Sequence, residues 1–243
     1  MRTYFKQFVV RVTVVLLFLT LPSCLDAPEG NKPVRVNFDI RFDVGIQTPA
    51  YFTFSRAILA INSIRFQGVR QAGNDVAFST RPDQPLGLFV LSPSQFLRPV
   101  TWFDIQEGVY NSMRWEITLL PINDDFFDDD DEYGFILEGQ YTRLDGTQVV
   151  VIFAMEEIEV LRLQTIGLNA QTQISLIVDR IYSIELVINP FSIFGGIPRT
   201  MLEQAEIQVN NGIRYLLISP DDNEELYDLM LLRLARELRA IIN

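Results

Sequence analysis

The chain has 243 residues, 48% of them hydrophobic, with 20 basic against 31 acidic side chains and a net charge of −11. There is no histidine, a single cysteine (Cys24) and only two lysines, Lys6 and Lys32. That inventory excludes imidazole bases, histidine metal ligands, an intramolecular disulfide and a lysine nucleophile in the body of the chain. The acidic balance argues against nucleic acid and anionic lipid surfaces as partners, since phosphate binding needs a positive footprint. Neither a G-x-S-x-G elbow nor a dinucleotide-binding glycine pattern occurs, so no enzyme is expected. What remains open to catalysis is carboxylate chemistry of the glycosidase kind, for which Glu116, Glu138, Glu156, Glu157 and Glu185 are candidates and no pair stands out.

In chain order, Arg2, Lys6 and Arg11 give a basic start, and Phe8 to Leu21 is almost wholly apolar. The run is shorter than the roughly 18 residues a membrane-spanning helix needs, and it reads as a secretory signal over 1–23. Leu21-Pro22-Ser23-Cys24 resembles the lipobox of bacterial lipoproteins, with Pro22 where a small residue is usual. The resemblance implies that Cys24 is the lipidated first residue of the mature protein and its link to a membrane. Removing 23 residues, three basic and none acidic, leaves 220 residues with 17 basic against 31 acidic side chains and a net charge of −14. Residues 24–33 are turn-formers and charge without an apolar period, a short tether between lipid and fold.

From Val34 to Val44 apolar and polar residues alternate strictly, the period-two signature of a strand with one wet face. Further strands are predicted over 58–69, 76–79, 86–91, 100–105, 109–120, 133–142, 147–155, 158–165 and 174–188, the last with a bend near Arg180. Leu144-Asp145-Gly146 marks a hairpin turn. Pro190 to Pro198 is apolar but rich in breakers, and periodicity does not decide between a buried crossover and an exposed loop. Cap and acidic residues at Ser219 to Glu225 start an amphipathic helix at about 222–242, with Tyr227, Leu231, Leu234, Leu238 and Ile241 or Ile242 at helical spacing. About ten strands and one late helix predict a mainly β single domain over 34–243, an antiparallel β-sandwich with a C-terminal helix.

Two groups are candidate sites. Asp124 to Glu132 holds seven carboxylates, whose favoured reading is a solvated charged loop. The alternative is calcium ligated by Asp128, Asp130 and Glu132, although the spacing is not that of an EF-hand. No other cofactor is expected. Phe126 and Phe127, inside this loop, are read as anchors on the core. Trp102, Phe103, Tyr110 and Trp115 are read as core aromatics, the alternative being a flat platform for a glycan with Trp102 and Trp115 as its ligand-binding members.

The signal, the lipobox-like cysteine, the tether and a β-rich body resemble the β-sandwich surface or periplasmic lipoproteins of bacteria with two membranes. INSIRFQGV (61–69), IQEGVYNSMRWEITLL (105–120) and NEELYDLMLLRLARE (223–237) are similar in outline to prealbumin-like members of that group. The resemblance implies a lipid-anchored protein of the outer membrane or cell surface, non-enzymatic, with a binding, assembly or structural role and an envelope protein or glycan as partner.

Overall fold

The structure is a computed structural model, and it describes residues 32–45, 49–122, 132–167, 169–210 and 212–243. Among these residues the chain is mainly β, with fourteen strands in one large curled sheet and three helices. The strands are β1 (Pro33–Phe42), β2 (Phe52–Arg70), β3 (Val76–Ser79), β4 (Gly87–Leu91), β5 (Leu97–Gln106), β6 (Gly108–Leu119) and β7 (Tyr133–Thr142). They continue with β8 (Gln148–Glu156), β9 (Val160–Gly167), β10 (Ile174–Leu176), β11 (Tyr182–Ile188), β12 (Gln208–Asn210), β13 (Ile213–Ile218) and β14 (Arg239–Ile242). The helices are α1 (Pro190–Phe194), α2 (Arg199–Gln204) and α3 (Glu224–Glu237).

β2 is the spine. Its residues Ala57 to Leu59 pair with β4 on one edge and β7 on the other. Ile61 pairs with Gly87 of β4 and Leu119 of β6, and Arg65 to Gly68 pair with both β3 and β6. β7 and β6 therefore follow one another along the same edge. Two bulges, at Phe54/Arg56 and Ile61/Ser63, each shift the inward parity by one residue. Phe52 and Phe54 point to the main core, then Ala57, Leu59 and Ile61, then Ile64 and Phe66. This is why the sequence alternates only in part across this stretch: each extra residue reverses which side chains face the core.

The main core fills the inside of the curl. Val34, Val36, Phe38, Ile40 and Phe42 line it from β1, and burying each such side chain contributes about 1.5–3 kcal/mol. A second apolar cluster lies on the opposite face of the β2, β7, β8 and β13 region, formed by Ile58, Ala60, Ile122, Tyr133, Ile136, Ile152, Ala154 and Leu217. Strands apolar on both faces read as continuous runs, which is how Val149 to Met155 appears in the sequence.

The sheet is mixed, not plainly antiparallel: β1 beside β11, β8 beside β13 and β9 beside β14 are parallel. Parallel pairing needs long connections: the helices α1 and α2 lie between β8 and β13, all three helices lie between β9 and β14, and nine strands lie between β1 and β11. The breaker-rich stretch after β11 is helical at its start. Asn189 caps α1 by accepting from Ser192 N at 2.9 Å, and Pro190 sits where its missing N–H costs nothing. The C-terminal helix is shorter than its spacing predicts. It stops at Glu237 because Leu238 turns extended, and residues 239–242 form β14 between β9 and β11. Leu238, Ala240 and Ile242 are buried at period two, and the four-residue step from Leu238 to Ile242 also satisfied the helical count. Arg233 on α3 donates to the carbonyls of Ser192 and Ile193, tying α3 to α1.

α2 is held to the β7–β8 hairpin by Glu203. Its carboxylate accepts from Tyr141 Oη, from Arg143 Nε at 3.0 Å and from Leu144 N at 2.8 Å, with Arg199 Nε at 3.7 Å. The Tyr141 hydroxyl, then the Leu144 amide and Arg143, hold this carboxyl below the usual carboxylate range, against the opposing effect of burial. A depressed native pKa adds stability above the unfolded pKa and loses it as pH falls. Glu203→Gln is expected to melt below the native protein at neutral pH. The gap should close on acidification below the ordinary glutamate range, near about pH 4, in paired thermal melts.

Candidate binding face

Three strands carry the same short pattern of arginine, apolar residue, then glutamine or glutamate: Arg65-Phe66-Gln67, Arg114-Trp115-Glu116 and Arg162-Leu163-Gln164. Phe66, Trp115 and Leu163 point into the core, so the flanking polar residues share the outer face. β2 and β9 both run antiparallel to β6, which reverses the middle triplet. The register therefore sets Arg65 opposite Glu116 and Glu116 opposite Arg162, and in the next row Gln67 opposite Arg114 and Arg114 opposite Gln164.

The two rows differ in charge. In the first, Glu116 is bracketed by Arg65 Nη1 at 3.8 Å and Arg162 Nε at 3.6 Å. In the second, Arg114 has side-chain amides on both sides, and it makes no hydrogen bond or ion pair with the described residues. The arginines are exposed, 58% for Arg65 and 71% for Arg162, around a shallow depression of about 290 Å³. Ion pairs this exposed contribute about 0–1 kcal/mol, so stability does not account for two arginines on one carboxylate and a third beside them in an acidic chain. Arg239 extends the second row across β14, opposite Val187 and one residue before Ala240, the partner of Thr165.

The aromatic candidates separate. Trp115 is fully buried, its ring 4.6 Å from Phe66 and 5.1 Å from Phe38, and it donates from Nε1 to Thr165 Oγ1 at 2.8 Å. No ligand reaches it. Phe103 and Tyr110 are also buried, and burial pushes the Tyr110 hydroxyl up to about 12 while it donates to the Gln106 carbonyl at 2.6 Å. Trp102 is 51% exposed on β5, with the Arg35 guanidinium 3.9 Å from its ring centroid. The flat platform of Trp102 with Trp115 therefore does not form, because the two rings point to opposite faces of the sheet.

Cys24, Asp128 and Asp130, like Phe126 and Phe127, lie outside the described residues. Glu132 is exposed, and its backbone carbonyl accepts from Glu157 N at 2.9 Å. Burial, with added repulsion from Glu132 and Glu156, raises the Glu157 carboxyl above its ordinary range. No group of three or more metal-ligating side chains forms among the described residues.

Of the carboxylates open to catalysis, Glu138 is paired with Arg56, Glu185 with Arg41 at 3.1 Å, and Glu116 with two arginines. No described helix is long and apolar enough to cross a membrane. The repeated arginine triplet was visible in the sequence. Its meaning depended on a register that brings three distant segments together. No known protein family, curated protein or solved structure matches the chain.

Proposed function

We propose that the chain is a non-enzymatic binding protein of the cell envelope, anchored through a lipid on Cys24, that presents the outer face of β2, β6 and β9 to its partner. The observation that carries the binding role is Arg114, an exposed guanidinium set between two amides on a rigid sheet and paired with no carboxylate among the described residues. Side chains on neighbouring strands are held in fixed spacing, so such a row can meet a ligand without reordering first. The signal-like start and the lipobox-like Leu21 to Cys24 support the anchored location. A cysteine bearing two or more acyl chains gives stable anchoring where one chain gives marginal binding. Pairing is antiparallel among β2, β6 and β7 and parallel at β1–β11, β8–β13 and β9–β14.

Membrane fractionation tests the anchoring. The native chain should sediment with membranes and resist a carbonate wash, and Cys24→Ala should appear in the soluble fraction. Cys24→Ala remaining in the washed membranes would overturn the lipid anchor.

A further inference from the structure

We infer that the row Gln67–Arg114–Gln164 is a binding site for an acidic polysaccharide whose sugar units carry carboxylates, an inference that rests on the binding role given to this face. The ligand class follows from the order of groups in the row. A guanidinium offers a planar fork of N–H donors that matches a carboxylate with two parallel hydrogen bonds. The amide on either side offers two donors and one acceptor, the set that a hydroxyl can both accept from and donate to. A carboxylate flanked by hydroxyls is the outline of a uronic acid unit. Adjacent strands lie about 4.8 Å apart, so the three side chains step across the face at a spacing close to one sugar unit of an extended chain.

The first row accounts for the other two arginines of the face. Arg65 and Arg162 already share Glu116 at 3.8 and 3.6 Å, and Arg114 on the strand between them pairs with no carboxylate among the described residues. The row therefore alternates amides with cations, Gln67, Arg114, Gln164 and then Arg239, and it offers none of the aromatic faces on which bases stack. Nucleic acid also needs stacking surfaces. Here the exposed tryptophan sits on β5, away from the row. An acidic peptide would supply carboxylates without the hydroxyls that Gln67 and Gln164 are placed to meet. The depression of about 290 Å³ is open and shallow, which suits a polymer laid along a face rather than a small molecule enclosed in a pocket.

The test is binding of polygalacturonate to the full-length chain in detergent micelles at about 0.15 M salt, where screening limits contacts to roughly 8 Å. Isothermal titration is expected to show binding that Arg114→Ala weakens about tenfold or more, the scale of one charge-assisted pair. Arg114→Lys should bind between the two, because it keeps the charge and loses the fork. Arg81→Ala, an exposed loop arginine, should bind like the native chain. Arg114 is exposed, so its variants are expected to melt with the native protein, and a matched melting temperature separates lost binding from lost fold.

No binding of polygalacturonate, or binding that Arg114→Ala leaves unchanged, overturns the proposal. Polyglutamate or single-stranded DNA bound more tightly, with loss in Arg114→Ala, overturns the polysaccharide and leaves the face as a binding surface for another polymer. Failure of all three polymers removes the binding role of the face as well.

Discussion

Trp115→Ala is expected to cost about 3–5 kcal/mol, the largest effect of any single substitution considered for this fold. The ring is fully buried where β1, β2, β5 and β6 face one another, within 5.5 Å of Phe103 as well as Phe38 and Phe66. Its removal opens a cavity at the centre of the curl and strips the fully buried Thr165 of its indole partner. At about 2–4 °C per kcal/mol for a chain of this length, the melting temperature should fall by roughly 6–20 °C. Trp115→Phe keeps much of the volume but loses the Nε1–H, and it should fall between. A shift of only a degree or two for the alanine variant would mean that the ring is not the centre of the core.

Ending the chain after Leu238 is expected to have a comparable effect from the removal of five residues. β14 is an interior strand: Ala240 pairs with Thr165 of β9 and Leu186 of β11, and Ile242 with Gly167 and Ile184. Asn243 N donates to Ser183 O at 2.9 Å, continuing the ladder one residue beyond it. Without these residues the sheet loses the link between the β6–β9 block and the β11–β1–β5 block, and two strand edges become unpaired. The shortened chain should lose its cooperative melt and self-associate through those edges, read by circular dichroism and size-exclusion chromatography. A monomer melting within a few degrees of the native chain would contradict the central place given to β14.

The strands of the first two-thirds of the described chain are legible in the sequence because their patterns are local. β1 alternates over its whole length, Asp145-Gly146 turns β7 into β8, and the bend near Arg180 matches the break between β10 and β11. The last third is harder to read. α1 is set by the Asn189 cap and Pro190, in a stretch where apolar residues and breakers cancel any period. β12 and β13 fall in residues 208–218, which carry no clear alternation, and β13 is placed by β8 through pairing at long range. At the C-terminus, Leu238 and Ile242 satisfied the helical and the extended spacing together, and the free edges of β9 and β11 decided between them. Tertiary pairing overrode local pattern there.

The binding face shows the same division. Each arginine triplet is plain in the sequence, and the alternation around it puts the arginines on the wet side of a strand. Whole-chain charge conceals them, because 31 acidic residues outweigh every basic one. Only the antiparallel register reveals that Glu116 is shared by two arginines while Arg114 falls between amides. Trp115 misleads in the opposite direction. Its residue type suggests a platform, and its place in β6, one residue after the outward Arg114, turns it into the core.

The central claim is that this row, set by register, is where the ligand lies, and nuclear magnetic resonance of the side chains tests it most directly. With polygalacturonate added to the isotopically labelled chain, the side-chain amides of Gln67 and Gln164 and the Nε–H of Arg114 should shift together, with the Trp102 indole unmoved. Shifts centred on Trp102, or on residues of β12 and β13 at the other end of the sheet, would contradict it.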